Sequence, residues 1–357
     1  MKVMRPRPLV NRPTVTVVIP CYNYGRYLPE AVNSALSQEM VEVDVIVVDD
    51  ASTDGSAAIA WGLAAADPRV SVVHHGQNQG HIATYNDGLS RARGRYVTLL
   101  SADDVIAPGA LGRAVALMEA NPNVGMVYGL PKDFVDQTPP VALHGRTTWT
   151  VWEGSRWLAL ACARGRNFIL SPEVVMRTET VLSVGAYSAS LPHSGDLEYW
   201  LRAAASWDVG RVNGPVQAFY RVHGNNMHQT EFAAAAVDLQ HRLEAFRVLE
   251  DVRFPITSEK RVRQLRRAKG ALSKEASHLG AREVIRGGSL ETAIELRKFI
   301  ECLQDVPGNV HRANALQARI TRVSRGGRPR PATSAAEFVR SQLERIRWRL
   351  WAMTGIS

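Results

Sequence analysis

The first 120 residues alternate two kinds of segment in an order that an open α/β sheet satisfies. Val15-Thr16-Val17-Val18-Ile19 is a short apolar, β-branched run stopped by Pro20, the pattern of a buried strand. Leu28 to Gln38 reads as a helix with Pro29 and Glu30 in its first turn, and Val43 to Val48 as a second strand ending on Asp49-Asp50. Ser52-Thr53-Asp54-Gly55-Ser56 carries turn and helix-capping residues, and an Ala-rich helix runs from there to Ala66. The cycle continues with a strand at Val70–Val73, a helix at Ile82–Arg93, and a strand at Tyr96–Leu100 that lands on Ser101-Ala102-Asp103-Asp104; Pro108 to Ala120 is again helical. This βαβαβαβ order predicts an open, mostly parallel, doubly wound sheet with helices on both faces. In such sheets ligands sit outside the carboxyl ends of the strands. Two of those ends carry paired aspartates here.

Beyond about residue 230 the pattern becomes helical, with segments at Phe232–Leu249, Glu259–Leu279 and Leu290–Leu303 and a break at Gly287-Gly288. Residues 324–334 form a basic, Gly/Pro-rich linker. Ser334 to Met353 then places Val339, Leu343, Ile346, Leu350 and Met353 on one helical stripe, flanked by Arg340, Arg345, Arg347 and Arg349 with Trp348 and Trp351 among them. Three parts are therefore expected, at residues 1–230, 231–323 and 324–357. The net charge of +9 is unevenly spread: residues 251–357 hold 22 Lys and Arg against 10 Asp and Glu, whereas residues 1–250 hold 21 against 24. With 45% hydrophobic and 22% charged residues the chain can bury a sizeable core. Cys21, Cys162 and Cys302 stand far apart, which excludes a disulfide framework or a cysteine-rich zinc site and suits a reducing compartment. No run of about 18 apolar residues is present, and the start lacks the apolar core of a secretory signal. A cytoplasmic location is the expectation.

The carboxylates carry the candidate chemistry, and each admits two readings. Asp49-Asp50 can form an Asx turn, with Asp54 capping the next helix, or present a carboxylate to a nucleotide base or ribose. A dinucleotide fold would place G-x-G-x-x-G after the first strand; Pro20-Cys21-Tyr22-Asn23-Tyr24-Gly25 stands there instead, which disfavours nicotinamide chemistry. Asp103 and Asp104 can begin a loop ahead of Pro108, or hold a hard cation such as Mg²⁺ or Mn²⁺ that bridges to a diphosphate. Asp196 and Glu198 can favour the positive end of a helix starting near Gly195, or one of them can act as a general base. His223 follows a strand at Val216–Tyr220 and is either structural or in contact with a metal or phosphate, with Arg221 offsetting charge. Trp149, Trp152 and Trp157 can stack on sugar faces or fill the core.

Taken in order, these stretches resemble the family 2 (GT2) glycosyltransferases of the GT-A fold, over about residues 14–226. The likeness rests on Val-Val-Ile-Pro-Cys-Tyr-Asn (17–23), Ser-Ala-Leu-Ser-Gln (34–38), Val-Ile-Val-Val-Asp-Asp-Ala-Ser-Thr-Asp-Gly-Ser (45–56), Asn-Gln-Gly (78–80) and Asn-Asp-Gly-Leu (86–89). It continues in Ala-Arg-Gly-Arg-Tyr-Val-Thr-Leu-Leu-Ser-Ala-Asp-Asp (92–104), Gly-Asp-Leu-Glu-Tyr-Trp-Leu-Arg (195–202) and Tyr-Arg-Val-His (220–223). Each stretch is weak alone; their order and spacing make the match.

The resemblance implies that Pro20, Tyr22 and Asn23 lie beside the nucleotide, with Asn86 among the donor-binding residues. It implies that Asp50 receives the base through the N3–H of a uracil or thymine. Asp103 and Asp104 take the DxD-type position at the ribose and the diphosphate-bound metal, with His223 on the diphosphate side and Asp196 as catalytic base. Two departures stand out: the usual DxDD is Ser101-Ala102-Asp103-Asp104, and the usual Glu-Asp near the base is Gly195-Asp196, which favours Asp196 over Glu198. The implied enzyme is a metal-dependent, inverting transferase using Mg²⁺ or Mn²⁺. Its donor would be a nucleoside-diphosphate sugar and its acceptor a saccharide or lipid-linked hydroxyl, as in cell-envelope polysaccharide synthesis. The basic C-terminal part then suits peripheral contact with the inner face of the membrane or packing against protein, and no DNA- or RNA-binding motif appears. The alternatives are a nucleotidyltransferase, for which a Gly-rich triphosphate loop is missing, and a catalytically silent homologue that only binds.

Overall fold

The computed structural model describes residues 1–135, 147–224, 234–303 and 305–327. They form two compact units: residues 1–157 with 168–223, and residues 158–167 with the described residues from 224 onward.

The first unit is built on one ten-stranded sheet. Its elements in chain order are β1 (Lys2–Met4), β2 (Thr14–Cys21), α1 (Leu28–Leu36), β3 (Glu42–Asp49), α2 (Ser56–Ala66), β4 (Val70–His74), α3 (His81–Arg91), β5 (Tyr96–Leu99), β6 (Val105–Ile106) and α4 (Ala110–Ala120). There follow β7 (Val124–Phe134), β8 (Thr148–Trp152), α5 (Gly154–Arg164, its residues from 158 on assigned to the second unit), β9 (Val175–Arg177), α6 (Thr178–Val184), α7 (Gly195–Ser206) and β10 (Asp208–Arg221). The strand order is β1-β8-β10-β7-β9-β5-β2-β3-β4, with β6 on β10. The β5-β2-β3-β4 half is parallel throughout. In the other half β9 runs antiparallel to both β5 and β7, and β10 runs parallel to β7. The carboxyl ends of β2, β3, β4, β5, β7 and β10 therefore point to the same edge.

The mostly parallel sheet expected from the sequence is thus present, with three reversed strands (β6, β8 and β9) that the sequence did not announce. β10 itself is longer than the Val216–Tyr220 strand expected: Asn213-Gly214-Pro215 reads as a turn, yet the strand passes through it with register shifts, Gly214 taking φ +100°. Trp149, Trp152 and Trp157 are all at most 2% exposed, which settles them as core residues.

Side chains on successive strand positions face opposite sides of the sheet. Val15, Val17, Ile19, Val43, Val45 and Val47 pack with Leu28, Ala31, Val32 and Ala35 of α1 and with Leu111, Val115 and Met118 of α4. The alternate positions Val18 and Val48 meet α3 on the other face. There Gly88 is the point of closest approach: a Cβ on it would stand 2.3 Å from Val18 Cγ1 and 3.0 Å from Val48 Cγ2.

The second unit contains α8 (Ala235–Phe246), α9 (Ser258–Arg286), α10 (Leu290–Cys302) and α11 (Asn309–Ser324). Thr257 and Ser289 cap α9 and α10 by accepting from the backbone N–H of Lys260 and Thr292. The helix expected to end at Leu279 continues to Arg286, because Ala276, Gly280 and Val284 extend its buried stripe and Gly287 supplies the left-handed stop at φ +69°. The expected Phe232–Leu249 helix is α8 followed by a 3₁₀ turn, Arg247–Glu250; residues 225–233 and the Ser334–Met353 stripe lie outside the described residues.

Replacing Gly88 with Ala should lower stability by about 1–3 kcal/mol, the cost of forcing a methyl into a filled contact. Denaturant unfolding would read this as a lower midpoint at unchanged slope; an unmoved midpoint contradicts this account of how α3 seats.

Candidate functional site

The chain turns sharply at the carboxyl edge, just beyond β2 and β3. Asn23 (φ +60°) and Ala51 (φ +57°) both sit in the left-handed region, which is costly for a residue with a Cβ and is characteristic of functional edges. The two turns are tied together: the Asn23 N–H donates to Ser52 Oγ at 3.0 Å, and the Thr53 N–H donates to Asn23 Oδ1 at 2.7 Å. Pro20 lies past the last β5 pairing of β2, which ends at Val18, so its missing N–H breaks no ladder there. Tyr22, 45% exposed, stands between these residues with its ring toward solvent.

Asp49 and Asp50 close β3. Asp49 accepts from the Ser52 N–H and contacts His74 Nδ1 at 2.9 Å, while its Oδ1 is buried without a hydrogen-bond partner. Asp50 accepts from the N–H groups of Gln79 (2.8 Å) and Gly80 (2.9 Å) at the start of α3, and its Oδ1 lies 2.7 Å from His75 Nδ1. Burial alone would raise the Asp50 carboxyl, but the hydrogen bonds from His75, Gln79 and Gly80 outweigh it and hold the group below its usual range. Asn86 is placed on α3 with both ends of its amide on the backbone of Tyr187, at 2.8 and 3.0 Å.

The second aspartate pair leads into β6, whose antiparallel pairing with β10 brings Arg221 and His223 over it. The Arg221 N–H donates to Asp104 Oδ1 at 2.9 Å and its Nε to the Asp103 carbonyl at 2.8 Å. Its guanidinium pairs with Glu30 and lies against the rings of Tyr27 and Phe134. His223 Nε2 is 3.0 Å from Asp103 Oδ2, and its ring stacks on Tyr27 at 5.6 Å. Burial pushes the Asp104 carboxyl well up, and the charge of Asp103 adds to this. Burial and the same aspartates raise the Tyr24 hydroxyl to about 12.

Two adjacent buried carboxylates and an imidazole, with no thiol beside them, are a donor set suited to a hard divalent cation. Among the described residues no three His, Cys, Asp or Glu side chains form a ready-made metal cage. The fit is therefore to an ion held by one or two protein groups and completed by substrate phosphates, as is usual for Mg²⁺-type ions.

Asp196 stands in the first turn of α7, where the helix favours negative charge. It accepts from Ser171 Oγ at 2.5 Å and is hydrogen-bonded by the Tyr187 side chain. Desolvation raises the Tyr85 hydroxyl, and Asp196, Asp103 and Asp104 all add to the effect, so these carboxylates share one neighbourhood. Glu198, the other acid of the turn, is gripped twice by Arg202, at 2.6 and 2.8 Å.

Several partners escaped the sequence reading. His75 could have been found from strand register, since Asp49 pairs with His74 and the next residues in each chain then face each other. Ser171, Tyr187 and Asp87 carry no local signal, because they meet the site only through the fold. Arg221→Met should cost on the order of 3 kcal/mol, since it strips a buried guanidinium from Glu30 and from the Asp103 carbonyl; a variant as stable as the parent in urea would contradict the role given to Arg221.

Residues 16–170 match the model of the glycosyl transferase family 2. The succinoglycan biosynthesis protein ExoO of Rhizobium meliloti is 38% identical over 117 residues, covering 33% of this chain and 33% of that protein. This relative and two uncharacterized glycosyltransferases, of Nostoc sp. and Haemophilus influenzae, are matched over 33%, 37% and 48% of their own length. In structure the chain is similar to TarS 1-349 of S. aureus in complex with UDP-GlcNAc (TM-score 0.65, 17% identity, 89% of this chain and 93% of that one). It is also similar to a mannosyltransferase of Pyrobaculum calidifontis in complex with GDP-Man and Mn²⁺ (TM-score 0.52, 19% identity, 89% of each chain). At these identities the structural likeness speaks to the fold. Residues 16–170 thus match the glycosyl transferase family 2, and the fold around them is GT-A-like.

Proposed function

We propose that the chain is an inverting, metal-assisted glycosyltransferase of cell-surface polysaccharide or glycan synthesis. It would move a sugar from a nucleoside-diphosphate sugar, UDP or dTDP favoured, to a hydroxyl of a saccharide or lipid-linked acceptor. The observation that carries this is the gathering of Asp50, the Asp103–Asp104–His223 group and Asp196 at the carboxyl edge of one sheet, where α/β folds bind ligands.

Asp50, fixed as an anion, accepts an N–H from the base; uracil and thymine offer one at N3, and Pro20, Tyr22 and Asn23 line the approach. Asn86 acts indirectly, holding the Tyr187 backbone beside Asp196. Asp103, Asp104 and His223 would hold Mg²⁺ or Mn²⁺, which when bound neutralises charge on the departing diphosphate. Asp196, oriented by Ser171 and Tyr187, takes the proton from the acceptor hydroxyl as it attacks the anomeric carbon. One base with no second carboxylate assigned as nucleophile makes the reaction a single displacement, with inversion.

A thermal-shift series with UDP, dTDP, GDP and CDP, each with and without Mn²⁺, tests the donor site; a ligand at 100 times its Kd adds about 2.7 kcal/mol. One diphosphate should stabilise the protein in a Mn²⁺-dependent manner that Asp104→Asn abolishes. Asp196→Asn should keep that stabilisation and lose transfer by about 10²–10⁴-fold. Near-full transfer by this variant removes Asp196 as base, and silence toward every diphosphate removes the donor-site reading in favour of a non-catalytic homologue.

The basic helical region would meet the anionic inner face of the membrane, where a lipid-linked acceptor is presented. Along α9, Lys260, Arg263, Arg266, Lys274, Arg282 and Arg286 are exposed and make no ion pair among the described residues. No helix among these residues is long and apolar enough to cross a membrane. The chain should float with anionic and not with neutral liposomes, and reversing Lys260, Arg263 and Arg266 to Glu should weaken this; equal flotation of both proteins ends the idea.

A further inference from the structure

His75 lies between two carboxylates that no part of the proposed chemistry has yet connected. Its Nδ1 is 2.7 Å from Asp50 Oδ1, and its Nε2 is 3.2 Å from Asp87 Oδ2 on α3. Ionised carboxylates only accept hydrogen bonds, and a neutral imidazole has a single N–H to give. Both aspartates are placed to be ionised: Asp50 accepts two backbone N–H groups, and Asp87 Oδ1 accepts from Arg91 Nε at 2.9 Å. Both contacts can then be hydrogen bonds only if His75 carries two protons. The ring is 7% exposed and Asp50 2% exposed, so water is kept from the Asp50 bond, while the Asp87 side chain is 27% exposed.

We infer that His75 is an imidazolium bridging Asp50 and Asp87, and that it is a positioning residue: its charge fixes the Asp50 carboxylate for the base of the nucleotide donor. This rests on the reading of Asp50 as base acceptor. The directions of titration agree with the geometry. Burial works to lower His75, but its bonds to Asp50 and Asp87 outweigh this and raise it above the free value. Asp87 is held low, with burial outweighed by Arg91 and His75. These are the charged groups that face the ring: Asp50 from the end of β3, and Asp87 from α3 with Arg91 behind it.

The sign follows. A histidine whose folded value lies above the free value of about 6.5 contributes fully below that pH and loses its contribution as pH rises through the folded value. On deprotonation the ring keeps one N–H, so a nitrogen lone pair must face one of the carboxylates. If it faces Asp50, Asp50 loses this donor; if it faces Asp87, the ring loses its second anchor; in either case Asp50 loses the positive charge beside it. Nucleotide affinity should therefore fall as pH rises through the folded value of His75, and the loss should belong to the protein rather than to the nucleotide.

Two measurements on the full chain test this. Histidine-selective ¹⁵N NMR, with His75→Gln identifying the signal, should show both ring nitrogens protonated at pH 7 and a midpoint above the free value. A neutral ring at pH 7 overturns the inference. UDP binding measured by calorimetry in Mn²⁺ from pH 6.5 to 8.5 should weaken with pH in the parent. In His75→Gln, binding should be on the order of tenfold weaker at pH 6.5 and should show only the pH dependence that UDP itself brings. Asp87→Asn leaves Asp50 and His75 in place and should move the parent's fall in affinity to lower pH. Parallel pH profiles for the parent and His75→Gln overturn the positioning role even if His75→Gln binds weakly throughout. If the parent binds no nucleoside diphosphate at any pH, the donor-site reading fails, and the NMR titration still decides the protonation of His75.

Discussion

Four carboxylates are buried at the carboxyl edge of an apolar sheet, and the surrounding structure is organised by the need to compensate them. Asp49, Asp50, Asp103 and Asp104 are between 0 and 6% exposed. Buried charge is costly unless it is paired and hydrogen-bonded. Asp50 is compensated by backbone N–H groups at the start of α3 and by His75, and Asp104 by the backbone N–H of Arg221. Asp103 is reached by His223. The Asp104 carboxyl is pushed up by burial and by the charge of Asp103. Local strain at Asn23 and Ala51 belongs to the same arrangement, since both residues bend the chain so that the edge is closed by cross-bonded turns.

Helix α3 links the two ends of this edge. The N–H groups just ahead of it meet Asp50, Asp87 about two turns further on meets His75, and Asn86 grips the backbone at Tyr187, whose side chain reaches Asp196. The helix can do this because Gly88 lets it settle against Val18 and Val48 without a side chain between. A change in how α3 seats would therefore be felt both at Asp50 and at Asp196. Arg221 plays the matching part on the other half of the sheet, fastening the end of β10 to the Asp103–Asp104 turn and to Glu30 on α1.

The parallel half of the sheet was legible because its strands are buried on both faces, so Val15–Ile19 and Val43–Val48 are unbroken apolar runs with turn residues at their ends. The strands of the mixed half were not. Thr148–Trp152 and Val175–Arg177 are short, and β10 passes through Asn-Gly-Pro, which locally signals a turn. The three tryptophans at 149, 152 and 157 could not be assigned from spacing, because aromatic side chains suit a core and a sugar face equally. Composition and spacing left Asp196 and Glu198 open, and the family resemblance favoured Asp196; the structure adds a physical reason, since Arg202, one helical turn on, takes Glu198.

The sequence by itself determined the alternation of strand and helix, the positions of the paired aspartates at strand ends, and the order of motifs that marks the family. Those are properties of short windows, fixed by periodicity and by turn chemistry. Only the tertiary structure decided what each carboxylate faces. His75 and Asp50 are 25 residues apart, Asp196 and Ser171 are also 25 apart, and Asp103 and His223 are 120 apart. Their partnerships arise because parallel strands in register deliver distant residues to one edge, where a buried charge must find its counterpart in space and no local pattern encodes which residue that will be.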